Sequence, residues 1–174
     1  EGSLGAGFNV YAPGNYRNKE TGKFESVKTW AFAVKAGSEL EYEWPVESFE
    51  GEQYHLRVYG PNGFYREFKG EKDTVIPVQV EPGGRDSGKL KVNVRNRGSQ
   101  TVSLRVVEDK YNKKDSAFTL KPGSEKDVVL NTTSASGWYD FSIQSKGSVD
   151  FLARYAGRLE TGSDSISDPF MGAV

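Results

Sequence analysis

"AFAVKAGSE" at residues 31–39 and "AFTLKPGSE" at residues 117–125 decide how this chain is read. Each carries an apolar stretch into a glycine turn and a Ser-Glu pair, and the offset between them is 86 residues. Both lead into a second alternating stretch, "LEYEW" (40–44) and "KDVVL" (126–130), expected to be a strand in each case. Further on, "EQYHLRVYGPNGFYREFKG" (52–70) answers "GWYDFSIQSKGSVDFLARYAG" (137–157). Tyr54 then matches Tyr139, Leu56 Phe141, Val58 Ile143, Phe64 Phe151, Phe68 Tyr155 and Gly70 Gly157, at offsets of 85 to 87. Ahead of these, "GFNVYAPG" (7–14) and "LKVNVRNRG" (90–98) each give a strand running into a glycine turn. Register kept over so many elements points to duplication of a unit of about 85 residues.

The local pattern is β throughout. "KLKVNVRN", "YDFSIQ", "TVSLRVVE", "YHLRVYG", "ELEYEW" and "DFLARY" alternate apolar and polar residues. "APGN", "KAGS", "GPNGF", "EPGG", "NRGS", "KPGS" and "SKGS" fall between them as turns. No dozen-residue window holds a helical apolar stripe free of Gly or Pro. The expected fold is all-β, two tandem small Ig-like or fibronectin-like β-sandwich units, residues 1–84 and 85–174, the second with a C-terminal tail. Pro77, Pro82 and the polar, Gly-rich "EPGGRDSGK" place the join near residues 82–88; one larger sandwich shared by both halves is the alternative.

Composition narrows the function. The 174 residues carry 23 basic and 24 acidic side chains, a net charge of −1, well mixed along the chain, so no field gathers nucleic acid or an anionic membrane. With no cysteine there is no disulfide, thiolate site or Cys nucleophile. No run approaches the length of a membrane span. The opening "EGSLGAGF", with neither Met nor a leader pattern, reads as the start of a fragment of a soluble protein.

"FNVYAPG", "YHLRVYGPNGFYREFKG", "KLKVNVRNRG", "LKPGS", "SGWYDFSI" and above all the ending "FLARYAGRLETGSDSISDPFMG" resemble the duplicated C-terminal domains of the bacterial phosphocholine-preferring phospholipases C, hemolytic and non-hemolytic. The ending is the most specific part, similar to the family's closing pattern "AGH.ETG..S.SDP", with Arg158 where that family usually has His. The resemblance implies a catalytic domain N-terminal to Glu1, related to alkaline-phosphatase-like phosphoesterases. It further implies a secreted parent that cuts phosphatidylcholine or sphingomyelin to phosphocholine. The expected partner is that catalytic domain, through an intramolecular interface, with only weak contact to phospholipid or substrate aggregates.

The residues themselves argue against catalysis in this chain. His55, the one histidine, is expected on the solvent-facing side of its strand with Arg57. No Ser sits in a G-x-S-x-G turn, "GFYREFKG" lacks the spacing of a phosphate loop, and no cofactor or metal site is expected. Glu160, Asp164 and Asp168 lack the spacing of a calcium loop, and residues 106–116 read as a solvated connector. Binding candidates are Asn62, Phe64 and Tyr65 at the "GPNGFYR" tip, with Tyr65 the exposed ring and Phe64 the core one, and Arg158 in the tail. Trp44 and Trp138 are expected as lids on the core. The competing reading is a free-standing carbohydrate-binding or adhesin-like sandwich.

Overall fold

The computed structural model describes residues 4–72, 75–84, 87–108, 110–145, 150–160, 164 and 166–170. The chain is all-β. Its strands are β1 (Ala6–Arg17), β2 (Phe24–Val34), β3 (Gln53–Tyr59), β4 (Tyr65–Glu71), β5 (Val78–Pro82), β6 (Lys89–Arg95), β7 (Val102–Glu108), β8 (Lys114–Leu120), β9 (Glu125–Asn131), β10 (Trp138–Ser145) and β11 (Leu152–Arg158). Single 3-10 turns occupy Val46–Ser48, Glu50–Glu52 and Thr133–Ala135. Among the described residues no helix is long and apolar enough to cross a membrane.

Eight strands form one antiparallel sheet in the order β2-β1-β3-β4-β11-β10-β7-β8, and β5-β6-β9 form a second. The large sheet has an internal two-fold. At its centre β4 pairs antiparallel with β11, with Glu67 opposite Arg154, Phe68 opposite Ala153 and Arg66 opposite Tyr155. From that pair the order runs β4-β3-β1-β2 one way and β11-β10-β7-β8 the other. Val58 and Ile143 therefore lie on β3 and β10, one strand out from the centre, and Phe32 and Phe118 on the outermost strands β2 and β8. The strand in the place of β7 is thus β1, so residues 7–14 do not answer residues 90–98, the stretch of β6, as their shared run into a glycine turn suggested, because β6 belongs to the small sheet.

Packing is unequal across the axis. In the second half, Leu104, Val106, Leu120, Phe141, Ile143, Ala153 and Tyr155 of the large sheet face Leu90, Val92, Val94 and Leu130 of the small one, a sandwich core. On the same side of the first half, Val10, Ala12, Tyr16, Phe49 and Leu56 form a separate cluster with Trp30, Phe32, Trp44, Tyr54 and Val58, covered by residues 35–52. "LEYEW", expected as a strand, enters no ladder: residues 40–44 carry no strand pairing. Its counterpart β9 owes its ladder to β6, and the described first half has no strand in the place of β6. β5, numbered ahead of the expected join, pairs with β6 beyond it as an edge strand, with Pro82 at its end.

Candidate functional site

Directly opposed residues on neighbouring strands share a face. His55, Arg57, Tyr59, Tyr65, Glu67, Lys69, Arg154, Ala156, Asp140 and Ser142 accordingly lie together on the side of the large sheet away from the small one. At the centre, Glu67 is only 6% exposed. Its Oε1 lies 2.7 Å from His55 Nε2 and accepts from Arg57 Nε at 2.8 Å, while Oε2 accepts from the Tyr65 hydroxyl at 2.8 Å. Burial pushes the Glu67 carboxyl up, but hydrogen bonds from His55, Arg57 and Tyr65 outweigh it and hold the group at about 2. Across the axis Arg154 donates Nε and Nη2 to the two carboxylate oxygens of Asp140, at 2.8 and 2.7 Å. That bidentate bond raises the guanidinium's pKa further.

Beside the ions runs a ladder of rings. Tyr11 meets Tyr59 edge-on at 5.5 Å, Tyr59 meets Tyr65 at 5.0 Å, and the Arg154 guanidinium lies 5.5 Å from the Tyr65 ring. Tyr11 and Tyr59 are 38% and 43% exposed. Next to them the β1–β2 register shifts between Ala12 and Asn15, a bulge that leaves Val27 at φ 58° and 58% exposed. A β-branched residue at positive φ is strained, and here the strain presents an isopropyl group to solvent. Tyr11, Pro13, Val27, Arg57 and Tyr59 line a shallow depression of about 400 Å³.

Of the expected binding residues, Tyr65 lies on this face and Asn62 at its hairpin edge, whereas Phe64 packs with Phe8 and Arg66 on the other side of the sheet. Tyr65 is half-buried rather than free, its hydroxyl spent on Glu67, and burial, aided by that bond, raises its pKa. Asn62 and Gly63 form the exposed hairpin tip with φ of 55° and 74°, closed by Phe64 N–H donating to Pro61 O at 3.0 Å, the primed-turn geometry of Asn-Gly. A side chain at Gly63 would run into Trp138 of the second half. Phe64 stands edge-on to Phe8 at 5.4 Å with the Arg66 guanidinium 4.1 Å above it. Arg158 is drawn inward, its side chain 7% exposed and bonded to Glu160 and the Ser136 carbonyl. His55 shares the side of Arg57, as expected, but is turned onto Glu67 rather than left in solvent.

The tail and the 106–116 stretch differ from a solvated reading. β7 and β8 extend into that stretch, and Tyr111 in the remaining loop donates to Asp168 at 2.9 Å and packs on Phe170 at 5.4 Å. Trp138 Nε1 donates to the Ile166 carbonyl at 3.1 Å. Glu160 and Asp168 are thus engaged apart from each other, and Met171 lies outside the described residues. Val27, Tyr11 and Tyr111 escaped sequence reasoning. The bulge behind Val27 depends on β1–β2 register, which the alternation does not encode.

The family model described as "Bacterial phospholipase C, C-terminal domain" matches residues 1–71 and 75–158. A non-hemolytic phospholipase C of Pseudomonas aeruginosa is 36% identical over 72% of this chain and 20% of its own length. One of Burkholderia pseudomallei is 33% identical over 83% of this chain and 21% of its own. The hemolytic phospholipase C of P. aeruginosa is 34% identical over 68% of this chain and 17% of its own. The chain spans about a fifth of the length of these relatives.

Proposed function

Since this chain belongs to the bacterial phospholipase C C-terminal domain family, we propose that it is the non-catalytic accessory module of a secreted phospholipase C, held to its catalytic portion by the open face of the large sheet. On this reading the parent cleaves phosphatidylcholine or sphingomyelin to phosphocholine, and the module steadies it and helps present aggregated substrate. Residues 1–84 and 85–174 are read as two covalent repeats, with β5 lent across the join.

The supporting observation is the bulged, strained Val27 beside Tyr11 and Tyr59 on a face whose charges are already paired. Tyr and Arg are the residues that anchor protein interfaces. Covering Arg57 and Arg154 leaves no lone buried charge, because Glu67 and Asp140 neutralise them in place. A bilayer is the poorer partner. Of the three protruding side chains Val27 alone is aliphatic, and it contributes roughly 1.5–3 kcal/mol only if fully buried, below a docking cost of about 4 kcal/mol or more that a covalent tether largely removes. Tyr65 joins this surface as the inner ring of the ladder, with Asn62 at its edge and Arg158 bracing the tail beside it, while Phe64 packs on Phe8 on the other side of the sheet.

The test is Val27→Asp with Tyr59→Ala in the full-length polypeptide. The module's thermal transition should separate from that of the catalytic portion and fall to that of the 174-residue chain. Unchanged transitions, or strong sedimentation of the isolated chain with neutral phosphatidylcholine vesicles that these substitutions abolish, would show the partner to be wrong.

A further inference from the structure

On the opposite side of the large sheet, we propose that the segment immediately preceding Glu1 in the full-length polypeptide completes the first half, laying two strands over Leu40, Tyr42 and Trp44 as β5 and β6 are laid over the second half. The internal symmetry defines the place. With the offset that relates Phe32 to Phe118, Tyr42 and Trp44 stand where Val128 and Leu130 stand on β9. Those two residues lie opposite Val92 and Leu90 of β6, and all four belong to or pack on the second core. In chain order β5 and β6 come directly before β7. The strand in the place of β7 is β1, so the corresponding pair would run in just ahead of β1.

The first half carries the marks of a surface waiting for this cover. "LEYEW" has the alternation of a strand, with Leu40, Tyr42 and Trp44 on one face and Glu41 and Glu43 on the other, yet forms none. Leu40 and Tyr42 are 48% and 42% exposed. The Trp44 Nε1–H is buried with no hydrogen-bond partner, the one such side-chain group among the described residues. An unmet buried indole donor is costly and points to an acceptor that a neighbouring strand's carbonyl supplies. Phe8, Val10, Phe32, Val34 and Val58 join these three residues around an apolar groove of about 250 Å³. Strand addition beside 40–44 satisfies backbone and groove together. The occupant is a stretch with apolar residues at every second position.

This inference requires only that more chain precede Glu1, as the relatives' length indicates; it does not depend on what covers the open face. Hydrogen exchange is compared between the 174-residue chain and the same chain extended upstream by about 30 residues of its own reading frame, enough for two strands and their turns. Amides of residues 40–44 should exchange about tenfold or more slowly in the extended chain. Trp44→Phe, which removes the indole donor together with part of the ring's bulk, should lower the Tm of the extended chain by more than that of the shorter one, since only the extended chain also loses the donor's hydrogen bond. Equal exchange at 40–44 in the two chains overturns the proposal. So does protection that grows with concentration of the shorter chain, which assigns the groove to a second copy. Loss of the Val27/Tyr59 effect with protection of 40–44 intact would count against the open-face reading alone.

Discussion

The two halves of the large sheet share a strand order and differ in what lies on them. β10, the centre of the second half, places Phe141 and Ile143 at 1% and 0% exposure beneath the β5-β6-β9 sheet. β3, its counterpart, leaves Leu56 at 9%, with Val58 only partly buried under a cover that has no ladder of its own. Ring contacts compensate: Tyr16 with Trp30 and Phe49, Trp30 with Trp44, and Phe32 with Tyr42 and Trp44. A four-stranded sheet can thus be closed by a second sheet or by large rings on an irregular strap. The ring solution leaves more surface exposed.

The largest effect should separate equivalent core positions. Phe141 stacks on Tyr155 with ring centroids 5.4 Å apart. Phe141→Ala should cost about 3–5 kcal/mol in urea unfolding, because the sandwich cannot collapse into the void. Leu56→Ala should fall near the low end of its range, about 2 kcal/mol, since the strap can follow the missing side chain. Equal losses would mean that the second sheet is not what distinguishes the halves.

Much of this was legible in the residues, for reasons particular to each. The 86-residue offset and the alternation of β3, β4, β10 and β11 mark the strand order that the two halves of the large sheet share, because a half-buried strand writes its face into every second residue. "LEYEW" misled because alternation reports the face a strand would bury and is silent on whether a partner supplies the ladder. The joining of the halves through β4 and β11 stayed open in the residues, which allowed two sandwiches or one shared by both halves, because only the pairing register sets Glu67 and Arg154 side by side. The tip residues Asn62 and Gly63 were readable from turn chemistry, whereas the engagement of Tyr65 depends on Glu67 two residues along the same strand face.

A smaller effect tests the charges on either side of the axis. Glu67→Ala leaves His55, Arg57 and Tyr65 without their acceptor and should cost about 2–3 kcal/mol at pH 7. The folded-state carboxyl titrates at about 2, below its ordinary 4.5, so its contribution is complete above the ordinary value and is lost as pH falls toward 2. The gap between wild type and Glu67→Ala in denaturant midpoint should therefore narrow from pH 5 to pH 2. A constant gap would assign Glu67 a packing role in place of an electrostatic one. Asp140→Ala should cost less at pH 7, because the guanidinium it leaves behind, with 38% of its side chain exposed, can turn to water.

The smallest effects come from two glycines in equivalent places, and they separate clash from backbone strain. Tyr54 lies directly opposite Gly70 and Tyr139 opposite Gly157, each ring lying over its glycine. A Cβ on Gly70 would sit 2.5 Å from the Tyr54 hydroxyl oxygen, and one on Gly157 3.1 Å from that of Tyr139. Gly157 alone of the two has a positive φ, 155°, a conformation that only glycine adopts at little cost. Gly157→Ala should therefore cost about 2 kcal/mol through the backbone, and Gly70→Ala about 1 kcal/mol through displacement of a ring tip that can move. Double-mutant cycles decide the cause. In a Tyr54→Ala background, where the ring atoms that would stand 2.5 to 3.1 Å from the new Cβ are gone, most of the Gly70→Ala loss should disappear. In a Tyr139→Phe background the Gly157→Ala loss should persist, because φ is unchanged; the hydrogen bond from Arg66 to the Tyr139 hydroxyl is lost in both members of that comparison and cancels. Rescue of both glycines would mean that the second half stores no strain at Gly157, and that at this position the halves differ only in how closely the ring approaches.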